Sequence, residues 1–151
     1  MARHALGTLA RMGDPTGFDA SAFYLWGEAL RMMDRCEEAL VPLEQAAEAE
    51  PENIQVRLAL GWCYKRTGQL GLAIESLETA LAAKPAEALL HYNLACYWSL
   101  AGDKQRCLRY LSRSLALDPA YRRLIEEESD FDPIRSDPEF QALCEGLESN
   151  K

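Results

Sequence analysis

The residues of this chain best equipped for chemistry are two histidines, five cysteines and several runs of carboxylates, and their spacing argues against catalysis. His4 and His91 each stand alone. A general base or a metal-bound imidazole needs partners within reach of the ring, and no Ser or Cys has a His or acid at a recognisable motif spacing. His91 falls at a packing position, where a lone histidine reads as a satisfied core residue. Cys36, Cys63, Cys96, Cys107 and Cys144 are odd in number and form no CxxC, so neither metal-ligand spacing nor a disulfide framework is present. Cys63 and Cys107 sit where helices bury small residues, which implies a reducing compartment. Glu37-Glu38 and Glu126–Glu128 fall on solvated helix faces and lack the burial that acid–base carboxylates need. There is no glycine-rich phosphate loop. The expectation is a chain that is not an enzyme and holds no metal or cofactor.

Recognition is the chemistry that remains, and the bulk properties narrow its target. With 151 residues, 48% of them hydrophobic and 26% charged, the chain has the length and composition of one soluble domain. A net charge of −8 disfavours nucleic acid and anionic membranes as partners. The charge is uneven: residues 20–53 carry two cations against eight anions and residues 122–151 four against nine. The stretches 54–87 and 88–121 sum to +1 and +2. Acidic ends around a mildly basic middle suit solubility, and a monomer is the expected state. No apolar run is long enough to span a bilayer. The first twelve residues contain Arg3, His4 and Arg11 without a continuous apolar stretch, unlike a secretory signal, so a cytoplasmic location is expected.

The elements that must position any binding residues follow a strict register. Pro51, Pro85 and Pro119 are 34 residues apart. Ala39, Ala73 and Cys107 lie twelve residues before them, followed by Leu43, Leu77 and Leu111, then Ala46, Ala80 and Ser114. Gly27, Gly61 and Ala95 share a small-residue column, with Trp26, Leu60 and Leu94 ahead of it. Each period reads as two helices. Apolar residues recur at i, i+4, i+7 and i+8 in Ala73, Leu77, Ala80 and Leu81. Gly68 and Gly102 fall where a helix closes through the left-handed region, and Asp34 takes that place in the first period. Asp103 reads as an N-cap, and the prolines stop each second helix. The helices are predicted at about 20–33, 37–50, 54–67, 71–84, 88–101 and 104–118, with Trp26, Trp98 and Tyr64 packed inside the hairpins.

A period of 34 with this W/L-G-x2-Y…A-x3-L-x2-A…P pattern resembles the tetratricopeptide repeat. The resemblance implies an all-α, right-handed superhelical solenoid of antiparallel helix hairpins. It divides the chain into a capping helix or remnant of a preceding repeat over 1–19, repeats at 20–53, 54–87 and 88–121, capping helices over 122–147 and a disordered tail at 148–151. One more first helix is predicted over 120–128, then a turn at Phe131–Ile134 and a last helix opened by Asp137-Pro138-Glu139. The string SDFDPIRSDPEFQAL is similar to the closing segment that follows the final repeat in many bacterial members. The first helices of such an array line a concave groove that holds peptide segments of other proteins.

The register fixes which side chains enter that groove. They are Ser21, Tyr24, Glu28 and Arg31; Gln55, Leu58, Trp62 and Lys65; and Leu89, Tyr92, Cys96 and Ser99. Nothing in the hairpin core explains Trp62 or Tyr92, so they read as an exposed aromatic patch suited to an apolar anchor. The competing reading is that a terminal helix folds over the patch. Arg31 and Lys65 hold equivalent positions and should lie side by side, able to receive an acidic group of a ligand or to pair with Glu28 and surface carboxylates. One subgroup of the family grips C-terminal carboxylates of chaperones with a Lys/Asn clamp. Tyr24, Glu28, Ala59, Leu89 and Asn93 stand at the clamp positions here and none matches, so that role is excluded. The chain is therefore read as a protein-binding scaffold or adaptor for a peptide with an apolar and an acidic residue. The alternative is a structural assembly module that self-associates or packs on another domain of a larger complex.

Overall fold

The computed structural model describes residues 19–146, and among them there is no strand. Apart from Asp19, the expected N-terminal capping segment lies outside the described residues, as does the tail 148–151. Six helices follow the 34-residue register: α1 (Ala20–Met32), α2 (Cys36–Ala49), α3 (Ile54–Arg66), α4 (Leu70–Ala83), α5 (Ala88–Leu100) and α6 (Lys104–Leu117). Each lies within about one residue of its predicted span. The chain forms two compact units that divide after Ala83.

The register is built from repeated local chemistry. Asp19 and Asn53 cap α1 and α3 by accepting from the Ala22 and Val56 amides at 2.9 and 3.2 Å. Between the helices of each hairpin one residue turns left-handed: Asp34 (φ 60°), Gly68 (φ 79°) and Gly102 (φ 83°). The next amide then reaches back five residues, Arg35 to the Leu30 carbonyl (2.9 Å), Gln69 to Tyr64 (2.8 Å) and Asp103 to Trp98 (3.0 Å). These bonds satisfy carbonyls that a helix end leaves open and fix the reversal into the next helix. Asp103 then caps α6, as its place in the sequence predicts, accepting from Arg106 at 3.0 Å.

In the first unit α1 pairs with α2, α3 with α4, and α2 packs on α3. Leu43, Ala39, Ala46, Ala73, Leu77 and Ala80 are fully buried there. The small column has the expected cause at Gly27, where an added Cβ would sit 2.5 Å from Leu43 Cγ. Polar groups in this core are paired across helices: the Tyr64 hydroxyl donates to Glu44, and Ser76 Oγ donates to the Arg57 carbonyl at 3.1 Å.

In the second unit α5 pairs with α6, and Ser114 Oγ donates to the Ala88 carbonyl at 3.0 Å. The predicted helix over 120–128 is cut short. A 3-10 turn at Pro119–Tyr121 leads into the four-residue α7 (Arg122–Ile125). Arg135 takes the carbonyls that further helical turns would use, donating to Ile125 at 3.2 Å and Glu128 at 2.6 Å. A 3-10 segment, Ser129–Ile134, and α8 (Pro138–Cys144) complete the unit, with Asp137 capping α8 through the Glu139 and Phe140 amides. Lys104 at the start of α6 holds this end through Asp137 (3.1 Å) and Glu139 (2.8 Å).

Two tryptophans depart from expectation. Trp26 and Trp98 are half-buried at the margin of their hairpins. Trp26 lies stacked beside Phe23, and the Arg106 guanidinium covers the Trp98 ring at 4.8 Å. Leu30, Leu60 and Leu94 fill the interior in their stead. No helix among the described residues is long and apolar enough to cross a membrane.

Candidate functional site

Tyr24, Glu28 and Arg31 follow i, i+4 and i+7 on α1, and Leu58, Trp62 and Lys65 do the same on α3, so each set occupies one helix face. Trp62 is 40% exposed, which for a ring of its size is a large apolar surface left to water. Three cations surround it: Lys65 Nζ at 5.3 Å from the ring centroid, the Arg66 guanidinium at 5.8 Å and that of Arg31 at 6.0 Å. At these distances the ring quadrupole attracts each positive group. Arg31 and Lys65 are thus brought together, as the register predicts, with Trp62 between them.

Two of the cations are held in place by carboxylates. Arg31 makes a two-pronged pair with Glu28, Nε to Oε1 at 2.7 Å and Nη2 to Oε2 at 3.0 Å. That bond raises the Arg31 pKa further above its ordinary value. Arg66 reaches across to Asp34 at 2.7 Å. Partial burial, with the Glu28 charge beside it, raises the Tyr24 hydroxyl. Leu58 is half-buried and Gln55 exposed on the same helix. Sequence reasoning missed Arg66 and Asp34, although the spacing held the signal, since Lys65 and Arg66 are i+3 and i+4 from Trp62.

The equivalent face of α5 is closed, and this corrects the expectation for three residues. Tyr92 is 4% exposed, Cys96 2% and Ser99 0%. Only Leu89 remains half-exposed. The segment Ser129–Ile134 packs on α5, with Phe131 fully buried. The Phe131 ring meets Tyr92 edge-on at 5.7 Å and Phe140 at 5.4 Å, while Tyr121 covers Tyr92 from 5.2 Å. The terminal segment is therefore what occupies this face. Glu128, expected on a solvated helix face, is half-buried here, with an Oε1 3.9 Å from Cys96 Sγ.

The remaining reactive groups are structural. His91 is buried, its Nε2–H donating to the Pro85 carbonyl at 2.8 Å with Tyr110 beside the ring. Burial pushes the Cys63 and Cys107 thiols up to about 12, so they remain protonated and unreactive near neutral pH.

Residues 30–95, which include most of the Trp62 face and the helices behind it, match the family model of the tetratricopeptide repeat. This segment is made of tetratricopeptide repeats. Solved structures extend the likeness to the rest of the chain. YrrB, a tetratricopeptide protein with an unusual peptide-binding site, is 20% identical with a TM-score of 0.75, over 84% of this chain and 66% of its own. The chain thus spans slightly less than two thirds of YrrB. A MamA structure is 20% identical with a TM-score of 0.72, over 81% of this chain and 67% of its own. MamA of Desulfovibrio magneticus RS-1 is 21% identical with a TM-score of 0.71, over 99% and 88%. These likenesses show the fold, an all-α tetratricopeptide solenoid. No curated protein sequence matches the chain.

Proposed function

We propose that this protein is a non-catalytic scaffold whose tetratricopeptide face on α1 and α3 binds a peptide segment of a partner protein. The observation that carries the reading is Trp62, exposed and ringed by Arg31, Lys65 and Arg66. An apolar surface framed by cations on a protein of net charge −8 suits a ligand that pairs an aromatic or aliphatic residue with an acidic one. The molecule's own end gives a template for such a ligand. Glu128, Asp130 and Phe131 seat an aromatic ring between acids on the α5 face, at the register places that Trp62 and its neighbours hold on α3. YrrB, of the same fold, carries a peptide-binding site. Residues 19–146 contain all five cysteines as free thiols, which supports a reducing, cytoplasmic setting.

The test is titration of the protein with a synthetic peptide of the sequence Glu-Glu-Glu-Ser-Asp-Phe-Asp-Pro-Ile, followed by calorimetry. Saturable binding is expected. Truncating a buried aromatic anchor costs about 2 kcal/mol or more, so Trp62→Ala should weaken binding at least tenfold without lowering the melting temperature appreciably. Replacing the peptide's Phe by Ala, or its acids by amides, should do likewise. Binding undiminished by Trp62→Ala would sink this reading. Concentration-dependent dimerisation abolished by the same substitution would replace it with the assembly-module reading.

A further inference from the structure

At the segment that closes α5, three side chains that can ligate a metal come together. Cys96, Glu128 and Asp130 each direct one ligand-type atom to a common point, all within 4.8 Å of one another. Cys96 and Asp130 are 2% and 6% exposed, and Glu128 is half-buried at the edge. A second observation points into the same place. The Tyr92 hydroxyl, one helical turn before Cys96, is buried without a hydrogen-bond partner, and so is Ser99 Oγ, three residues beyond it. Burial raises the Tyr92 pKa, and the charges of Cys96, Glu128 and Asp130 raise it further. Buried hydroxyls in folded proteins are ordinarily satisfied, so the orphaned Tyr92 hydroxyl, close enough to feel a thiol and two carboxylates, marks a polar site with room for a further ligand.

We propose that Cys96, Glu128 and Asp130 bind a divalent transition-metal cation of the zinc class. The donor set selects the ion: a thiolate disfavours calcium and magnesium, while one sulfur with two carboxylate oxygens suits zinc or cobalt. The spacing fits. Zinc–sulfur and zinc–oxygen bonds of about 2.3 and 2.1 Å at a tetrahedral angle place the two ligand atoms about 3.6 Å apart, and Cys96 Sγ lies 3.9 Å from Glu128 Oε1. On binding, the Cys96 thiol gives up its proton to solvent and the metal–sulfur bond forms in its place. A water completes the tetrahedron, and the unpartnered Tyr92 hydroxyl is the group available to hydrogen-bond the inner shell. Arg135, which donates to the Glu128 carbonyl, brings one positive charge nearby, but three anionic ligands outweigh it. The half-buried Glu128 provides the way in. An ion at this site fastens residues 128–130 to α5 and makes the closure of that face metal-dependent.

Cobalt(II) titration of the metal-stripped, reduced full chain tests the site. One equivalent should produce a thiolate-to-cobalt charge-transfer band in the near ultraviolet, bleached by zinc. The band should vanish in Cys96→Ser, persist in Cys144→Ser, and require at least about tenfold more cobalt in Asp130→Asn. Should Cys96→Ser fail to fold, melting of the wild-type chain decides: zinc at a hundredfold excess over its Kd should raise the midpoint by about 5–10 °C. Absence of a stoichiometric band, its survival in Cys96→Ser or its loss in Cys144→Ser would each overturn the assignment.

Discussion

Leu58, Trp62 and Lys65 on α3 stand in the register places that Tyr92, Cys96 and Ser99 hold on α5, yet the first set faces outward and the second is covered. The difference is one of side-chain loading on a common backbone. Around Trp62 the i+3 and i+4 neighbours are cations, and a cover laid over them would have to strip water from charged groups. On α5 the i+3 and i+4 neighbours of Cys96 are Ser99 and Leu100, neither of them charged, so Phe131 packs on this face without stripping water from a helix cation. A helix face of this register is thus left open to water or covered by a later segment of the chain according to what it carries at three positions.

The largest effect expected of this contrast is on stability. Phe131→Ala empties the recess and should cost about 3–5 kcal/mol, read from urea unfolding, whereas Trp62→Ala on the open face should cost less than about 1 kcal/mol. Equal losses would mean that the two faces do not differ as described. Ligand binding should show the opposite order, with a tenfold or greater loss for Trp62→Ala and little change for a stability-matched substitution on α6. A smaller effect is expected of the cation ring. Arg31→Gln or Arg66→Gln should weaken an acidic peptide by about two- to fivefold, since exposed pairs contribute up to about 1 kcal/mol. The change should shrink in high salt, and a salt-independent loss would point to packing instead.

Both units share one pH response. Cys63 and Cys107 have folded-state pKa values raised from 9.0 to about 12 by burial. Their stabilisation is therefore complete below about pH 9 and is lost as pH rises toward 12, because the unfolded chain releases these protons first. Thermal midpoints should fall progressively from pH 9 upward, and less steeply in Cys63→Ala. A flat profile to pH 11 would show that the thiols are not in an apolar interior.

The repeats were legible because their chemistry is local. Glycines or Asp34 at the left-handed positions, Asp103 as a cap and Leu43 against Gly27 each act within one hairpin, so a 34-residue period exposes them together. Arg31, Lys65 and Trp62 were legible for the same reason, since helix spacing alone places them on one surface. What happens on α5 was not. Register put Tyr92, Cys96 and Ser99 on the groove stripe, but their burial depends on Phe131, which lies 32 or more residues from each of them. No periodicity reports a contact made once. The shortened helix after Pro119 has the same origin, in Arg135 competing for the Ile125 and Glu128 carbonyls. Trp26 and Trp98 were misplaced because their register columns are filled inside the other hairpins by the smaller Leu60 and Leu94, and by Leu30 and Tyr64, while the larger indoles sit half-buried.

Asp34 has a consequence for how this protein can be improved. The corresponding turns use glycine, which enters the left-handed region without steric penalty, while an aspartate there gives up about 1 kcal/mol. Its carboxylate, however, is the anchor for Arg66 beside Trp62. Asp34→Gly should therefore raise the melting temperature and at the same time loosen the guanidinium and lower affinity for an acidic peptide. A selection for thermostability alone would find this substitution early and erode recognition in the process, a trade-off written into a single backbone angle.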